Sequence, residues 1–164
     1  MSGRKRKWTR PGIPTWIEDM AEHAERQAAG AAYVVYAIFD PTQPDPSGRF
    51  RYLPIYVGVS GEIRRRVKKH FQKAAYDPSR NPVAGHLRRL LLINTVAEFE
   101  VIDRLDNKID AMIAETAHAQ RLLKAGYQLC NCWYFQHHIL TDAEMEKVVT
   151  RIRYAAEMEL RGWQ

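Results

Sequence analysis

Residues 54–71 carry side chains whose types and spacing could serve to cleave a phosphodiester bond. Tyr56 lies near the end of a short apolar segment, and the helical pattern that follows a Ser-Gly turn carries Arg66 and His70. An earlier apolar run contains another tyrosine, Tyr36. Two tyrosines on strands, followed by an arginine and a histidine on a helix, are residue types that bind a phosphate and move protons around it.

The two tyrosines are predicted to lie on a pair of antiparallel strands. Residues 31–39 are apolar and include β-branched and aromatic side chains, which is typical of a buried strand. A second strand is predicted over about 53–59. Between them, residues 40–54 contain four prolines and a glycine, which predicts a long hairpin connection instead of a continued strand. This pairing would bring Tyr36 and Tyr56 within reach of a common site.

A helix from about Glu62 to Ala75 is predicted to carry the arginine and the histidine. At about 100° per residue, its apolar face consists of Ile63, Val67, Phe71 and Ala74. Arg66 and His70 lie one turn apart at the border of that face, where a cleft against the tyrosine strands would form. The opposite face consists of Arg65, Lys68, Lys69 and Gln72, and we interpret its three basic residues as solvated or in contact with phosphates.

Helix signals and one more strand complete the predicted elements. Thr15 with Glu18 forms a capping-box pattern ahead of a first helix that Gly30 would end. A helix is predicted over 83–95 and a strand over 97–105. Asp106 is predicted to cap a helix that runs to Lys124, with an apolar stripe of Ile109, Met112, Ile113 and Leu123. A short extended piece is predicted over 127–134.

A second capping-box pattern, Thr141 with Glu144, predicts a terminal amphipathic helix over about 141–161. Its apolar positions are Val148, Ile152 and Ala155. We expect this helix either to close the core of the domain or to dock a partner protein, and the sequence leaves the oligomeric state open. Together these patterns predict an α+β fold, a small three-stranded antiparallel sheet with flanking helices, in one domain over 13–164.

Composition agrees with a single domain and a polyanionic partner. The chain has 164 residues, with 25 Lys+Arg against 19 Asp+Glu and a formal charge of +6. Residues 1–12 are strongly basic and are predicted to form a flexible arm, which would either contact nucleic acid or act as a solubilising tail. The sequence shows neither a signal peptide nor an apolar run of roughly 18 residues, so we expect a cytoplasmic protein without membrane contact.

The two cysteines leave two interpretations open. Cys130 and Cys132 are too close in sequence for an unstrained disulfide, which favours a reducing compartment. With His137 and His138 they could form a zinc cluster, although the spacing matches no common structural site. Alternatively, they are two buried thiols at the end of an extended piece.

The order of the candidate residues resembles the GIY-YIG nuclease family. Arginine follows the second tyrosine by ten residues, and histidine follows the arginine by four. The matching residues, within about 31–131, are Val34-Val35-Tyr36, Tyr56-Val57-Gly58, Arg66, His70, Glu115 and Asn131. Three features depart from the family pattern: Val34 replaces the first motif glycine, the hairpin connection is long, and the distance from Glu115 to Asn131 is only approximately that of the family.

The resemblance implies a metal-dependent DNA endonuclease that uses one Mg²⁺ or Mn²⁺ ion. Glu115 would be the metal ligand, because a carboxylate is a hard oxygen donor, with water and phosphate oxygens filling the remaining positions. Arg66 would stabilise the charge that the phosphate gains in the transition state. Tyr36 would be the general base or proton relay, and Tyr56 and His70 would position water or phosphate.

Four further residues are assigned to substrate binding: Gly58, Ser60, Lys69 and Asn131. Gly58 would let the backbone turn tightly and approach the substrate closely. Asn131 would orient Glu115 or a phosphate oxygen. A second hypothesis keeps the fold and the nucleic-acid binding but not the turnover, because the Val34-Val35-Tyr36 motif is altered.

Overall fold

The computed structural model describes residues 15–131 and 137–162. Within them lie five helices and three strands. The helices are α1 (Thr15–Ala28), α2 (Ile63–Tyr76), α3 (Pro82–Leu92), α4 (Lys108–Lys124) and α5 (Asp142–Leu160), and the strands are β1 (Tyr33–Pro44), β2 (Tyr52–Ser60) and β3 (Glu98–Leu105). The predicted α+β class is confirmed. The predicted basic arm, 1–12, lies outside the described residues.

The strands form one antiparallel sheet in the order β2-β1-β3, which confirms the predicted pairing of the tyrosine strands. Tyr36 of β1 lies opposite Gly58 of β2, and Ile38 lies opposite Tyr56. Residues two apart on a strand share a face, so Tyr36 and Tyr56 are diagonal neighbours on the same side of the sheet. β3 pairs with the other edge of β1, where Ile38 lies opposite Phe99.

Helices cover both faces of the sheet. On the tyrosine face, α1, α2 and α3 pack with Val34, Tyr36 and Ile38 in one buried cluster. On the opposite face, α4 packs against Val35 and Val57 through its own buried residues. Seven consecutive residues of β1 are buried, because this central strand has packed neighbours on both sides.

The hairpin connection is shorter than predicted. β1 continues to Pro44, which lies opposite Tyr52, although residues 40–54 were expected to leave the sheet. The register of the two strands shifts between Ile38 and Phe39 and again between Asp40 and Pro44. Irregular pairing of this kind tolerates prolines, because not every backbone N–H is needed for the ladder.

The second half of the chain required two corrections. Asn107, not Asp106, caps α4, since its side chain accepts from the N–H of Asp110. The predicted apolar stripe of α4 is also wrong at Met112, whose side chain is exposed. Small residues make the buried contacts instead, among them Ala111 and Ala119. An alanine side chain is small and lets a helix approach a sheet closely. Because alanine is only weakly apolar, the sequence pattern did not mark these positions as the buried face.

Helix α5 begins with the predicted capping box. Thr141 accepts from the N–H of Glu144, and the Glu144 side chain accepts from the N–H of Thr141. None of the residues of α5 is buried, so this helix does not contribute a buried side chain to the core. Among the described helices, none combines the length and the apolar character needed to span a membrane.

Candidate active site

Tyr36, Tyr56 and His70 form one aromatic cluster between the sheet and α2. The Tyr36 phenol oxygen lies 2.6 Å from Nε2 of His70. The ring centroids are 6.1 Å apart for the tyrosine pair and 5.3 Å apart for Tyr56 and His70. The side chains of Tyr36 and His70 are buried, whereas Tyr56 is half-buried and therefore nearer to solvent. Three of the predicted catalytic side chains thus lie in contact, although they come from three different elements, β1, β2 and α2.

Burial keeps Tyr36 and His70 neutral at physiological pH. Desolvation, assisted by the neighbouring Tyr56, raises the pKa of Tyr36 well above its usual value, and the charge of Arg66 opposes the shift. Desolvation, assisted by the positive charges of Arg66 and Lys73, lowers the pKa of His70 to about 3. A neutral imidazole has one acceptor nitrogen, and in the tautomer protonated at Nδ1 the phenol donates to Nε2.

Phe99 is part of this cluster, although sequence reasoning did not assign it to the site. Its ring stacks on Tyr36 at 6.1 Å and lies 5.6 Å from the ring of His70. Phe99 is on β3, and its contact follows from the β1–β3 register. The alternation of Phe99 and Val101 along the strand was the available signal, but the register was not readable from it. The phenylalanine adds apolar surface that excludes water from the Tyr36–His70 hydrogen bond.

Gly58 makes room for the two tyrosine rings. A Cβ atom at this position would lie 2.5 Å from the Tyr36 phenol oxygen and 2.8 Å from Cε1 of Tyr56. Both separations are too short for nonbonded atoms, so any side chain here would displace the rings. The residue lies inside β2 and not in a tight turn, and the close approach that it permits is to the tyrosines.

Arg66 and Glu115 interact electrostatically with the aromatic cluster. Burial raises the pKa of Glu115 to about 7, and the positive charge of Arg66 opposes this shift. The charge of Glu115 in turn raises the pKa of Tyr36. Charges affect one another in this way only over short distances, so α4 brings its carboxylate near the arginine of α2. In the described part of the chain, no cationic side chain forms an ion pair with Glu115.

Asn131 binds the outer edge of β2. Its side-chain oxygen accepts from the Val57 N–H at 3.1 Å, and its side-chain nitrogen donates to the Val57 carbonyl at 2.6 Å. The preceding residue, Cys130, donates its N–H to the Ile55 carbonyl at 2.6 Å. These bonds cover an edge strand on both sides of Tyr56. Asn131 therefore positions the strand that carries Tyr56, and the structure places its amide on Val57 instead of on Glu115.

Ser60, Arg66 and Lys69 line a basic cavity of about 430 Å³. The other lining residues are Tyr33, Gly61, Glu62, Arg65 and Lys108. Ser60 accepts from the N–H of Glu62 at 3.0 Å, so it also supports the start of α2. Lys108 was not predicted to belong to the site, because it comes from the start of α4. The cavity combines the positive charge of α2 with that of this lysine.

The other basic residues of α2 are not equally available to a phosphate. Lys68 forms an ion pair with Glu18 of α1 at 2.8 Å, and Arg64 binds the same carboxylate at 3.2 Å. Lys68 was expected on a solvated face, but it helps to hold α1 against α2. The side chains of Arg65, which is paired with Glu62 at 3.3 Å, and of Lys69 are exposed and are the more accessible cations of the helix.

The zinc interpretation receives no support from the described part of the chain, where no three His, Cys, Asp or Glu side chains converge as a metal site. Cys130 is half-buried, and its Sγ lies 3.9 Å from Nδ1 of His86. Cys132 lies outside the described residues. The predicted extended piece, 127–134, is described only as far as 131, where it has no regular strand.

Comparison of the chain with protein-family models, with curated proteins and with solved structures found no match.

Proposed function

We propose that this protein is a divalent-metal-dependent endonuclease that hydrolyses DNA phosphodiester bonds by a GIY-YIG-type mechanism. The observation that supports the proposal best is the joint placement of the predicted residues. Tyr36, Tyr56 and His70 are in ring contact, and the charges of Arg66 and Glu115 act on Tyr36. Packing requirements alone do not demand that an arginine and a carboxylate accompany a buried phenol–imidazole pair.

Glu115 fits the role of the metal ligand. A carboxylate with a pKa of about 7 is poorly solvated in its charged form, so a divalent cation would stabilise it strongly. A bound Mg²⁺ or Mn²⁺ ion would supply positive charge to the phosphate and lower the pKa of a coordinated water. Water and phosphate oxygens would complete the ligand set, as hard cations prefer.

Arg66 provides charge stabilisation that does not depend on the ion. The residue is half-buried and lines the basic cavity together with Ser60 and Lys69. A phosphate in this cavity would meet paired N–H donors in an environment from which part of the water is excluded, where hydrogen bonds to charge are strong. The Lys69 ammonium, a point charge on a flexible side chain, would bind a neighbouring phosphate of the DNA backbone.

The hydrogen bond from Tyr36 to His70 supports a proton relay. The buried phenol is neutral, so Tyr36 cannot act as a preformed phenolate base. It can accept the proton of an attacking water while it passes its own proton to Nε2 of His70, 2.6 Å away. The imidazolium formed in this step would be stabilised by the negative charge of the phosphate, which offsets the nearby Arg66.

A cleavage assay tests the proposal directly. Purified protein is incubated with supercoiled and linear DNA in Mg²⁺ or Mn²⁺, with and without a chelator. We expect chelator-sensitive nicking or cutting that Arg66→Ala and Glu115→Ala abolish, while the surface variant Lys147→Ala behaves like wild type. Absence of cleavage of every DNA form in either metal, with wild type equal to the Arg66 and Glu115 variants, would overturn the enzyme assignment.

The burial of Tyr36 favours a second candidate function, a nucleic-acid-binding module without turnover. Only 1% of this residue is exposed, so a water molecule has little access to the phenol oxygen. Binding through the basic cavity needs no such access. DNA binding that weakens steeply with salt, in the absence of any cleavage, would support this function. Binding that does not respond to salt would contradict it.

A further inference from the structure

The side chains of Cys130, His86 and Asp40 form a line of contacts in space, from a thiol through an imidazole to a carboxylate. Sγ of Cys130 is 3.9 Å from Nδ1 of His86, and Nε2 of the same ring is 2.7 Å from Oδ2 of Asp40. The three residues come from the segment after α4, from α3 and from β1. An imidazole that contacts a sulfur with one nitrogen and a carboxylate with the other is the arrangement that activates a cysteine nucleophile.

The surroundings of Asp40 determine the tautomer of His86, and with it whether the nitrogen that faces the thiol is an acceptor. Oδ1 of Asp40 accepts from the N–H and the hydroxyl of Thr42, and Oδ2 accepts from the side chain of Gln43. Burial would raise the pKa of Asp40, but these bonds and that from His86 lower it to about 2. The carboxylate is therefore charged and can only accept, so Nε2 of His86 donates and the lone pair of Nδ1 points to the sulfur.

The exposure of the three side chains decreases from the sulfur to the carboxylate. Cys130 is half-buried, the His86 side chain is 15% exposed, and the Asp40 side chain is 3% exposed. Reactive cysteines are partly accessible and have a proton acceptor next to them, whereas structural cysteines are enclosed in apolar surroundings. Cys130 is partly accessible and has the His86 imidazole next to it, as in the first kind, and its side chain also packs against the edge of the buried apolar cluster.

We propose that Cys130 is a reactive thiol, activated by His86 and positioned by Asp40, that small electrophiles and peroxides modify. Nδ1 of His86 takes the thiol proton. With hydrogen peroxide, Sγ bonds to one oxygen, the O–O bond breaks, and the departing hydroxide takes the proton from His86 to become water. The sulfur is oxidised to a sulfenic acid and the peroxide is reduced. With iodoacetamide, an S–C bond replaces the C–I bond and iodide leaves.

Modification at this position would also disturb the edge of β2. Cys130 donates its N–H to Ile55, and the next residue holds Val57 through its amide. A group added to the sulfur needs space between this segment and α3. The segment would move away from the strand, and the Val57 N–H would lose its partner. This consequence concerns backbone protection, so it can be measured whether or not the protein cleaves DNA.

Alkylation kinetics test the reactive thiol. In a Cys132→Ser background, folded protein is treated with iodoacetamide and followed by intact mass, with Cys130→Ser as the blank. We expect Cys130 to react about ten times faster than in the same protein unfolded by urea, and about ten times faster than in His86→Gln. The ultraviolet absorbance of the thiolate should disappear in both the His86→Gln and the Cys130→Ser proteins.

Equal alkylation rates in folded wild type, in unfolded wild type and in folded His86→Gln would overturn the proposal. If His86→Gln does not fold, Asp40→Asn replaces it, and unchanged thiolate absorbance in that variant has the same meaning. Hydrogen exchange then tests the coupling. The Val57 amide should exchange about ten times faster after alkylation, while the amide of Ile38 in the central strand stays protected. Unchanged exchange at Val57 after complete alkylation would contradict the effect on β2.

Discussion

Tyr36 on the central strand and His70 on α2 are joined by a hydrogen bond of 2.6 Å between the phenol oxygen and Nε2. The bond lies in a buried cluster and joins two residues whose pKa values burial shifts in opposite directions, upward for the phenol and downward for the imidazole. Both shifts favour the neutral pair. The pair can therefore stay intact over a wide pH range and transfer a proton only when a nearby charge changes the balance.

Replacement of Tyr36 by phenylalanine should abolish turnover at a modest loss of stability. The ring packing is kept, but Nε2 of His70 loses its partner, which costs about 1–3 kcal/mol for a buried polar atom. Loss of a proton relay should lower the cleavage rate by about 100-fold or more. Single-turnover cleavage and urea unfolding measure the two effects. Tyr154→Phe on the exposed face of α5 serves as the matched control and should change neither.

Acid should destabilise the protein through His70. The unfolded histidine takes a proton near its usual pKa of 6.5, whereas the folded one remains neutral until about 3. Stability is therefore fully present above about 6.5 and declines as the pH falls, by up to about 1.4 kcal/mol per pH unit for one proton. Urea unfolding at a series of pH values should show this slope in wild type. The slope should be smaller in His70→Gln, and equal slopes would show that other groups cause the acid sensitivity.

Glu115 should reduce stability at neutral and alkaline pH. Its folded pKa of about 7 exceeds the usual 4.5, so the folded state binds the extra proton between these values and stability falls as the pH rises through them. Above pH 7 the penalty is complete. Glu115→Gln should then be more stable than wild type by about 1–3 kcal/mol at pH 8, and no different near pH 4. Thermal unfolding at the two pH values measures this difference.

The same carboxylate should control the pH dependence of cleavage. Below pH 7 a proton competes with the metal for Glu115, so the rate at subsaturating Mg²⁺ should rise about tenfold per pH unit and level off above 7. Higher Mg²⁺ should shift the profile to lower pH, because the ion displaces the proton. A profile that does not move with Mg²⁺ concentration would remove Glu115 from the metal site.

Gly58→Ala should disturb the site more than its size suggests. The new methyl group would overlap the Tyr36 phenol and the Tyr56 ring, and overpacking of this kind costs about 1–3 kcal/mol. The cleavage rate should fall by more than the loss in free energy of unfolding explains, since both rings must move. Gly85→Ala in α3 is the control, because a Cβ there comes no closer than 3.4 Å to another residue and alanine favours a helix. Crystal structures or aromatic NMR shifts of the two variants would locate the change.

Lys69 and Lys108 should contribute to DNA affinity through phosphate contacts. Both are exposed and line the basic cavity, although one comes from α2 and the other from α4. Lys69→Ala and Lys108→Ala should each weaken binding to any duplex and each reduce the slope of log affinity against log salt by about 1. Lys147→Ala on α5 provides a control of equal charge change. Equal salt slopes for all three variants would place the DNA elsewhere.

Local patterns predicted the elements well where a single face is buried. The apolar spacing of α2 placed Val67 and Phe71 in the core, and the Thr141–Glu144 pattern marked the start of α5. Prolines concealed the far end of β1, since they signal an exit from the sheet unless the register shifts around them. In α4 the packing depends on alanines, whose burial follows from close approach and not from a strong apolar signal.

Contacts between distant parts of the chain could be predicted only in part. Tyr36 and Tyr56 were placed together because hairpin pairing is a local consequence of two successive strands. Phe99 was missed because its neighbours depend on the register of β3. The position of Asn131 was assigned by resemblance, and its bond to Val57 became visible only with the fold. The contact of His86 with Asp40 depends on how α3 packs on β1, and the spacing of residues in the sequence does not predict that packing.

The lack of buried residues in α5 has a practical consequence. A fluorophore or an affinity tag attached to an exposed position such as Tyr154 would leave the sheet and its two helical layers undisturbed. Such a label could report the approach of a nucleic acid or a second protein from a position outside the buried core.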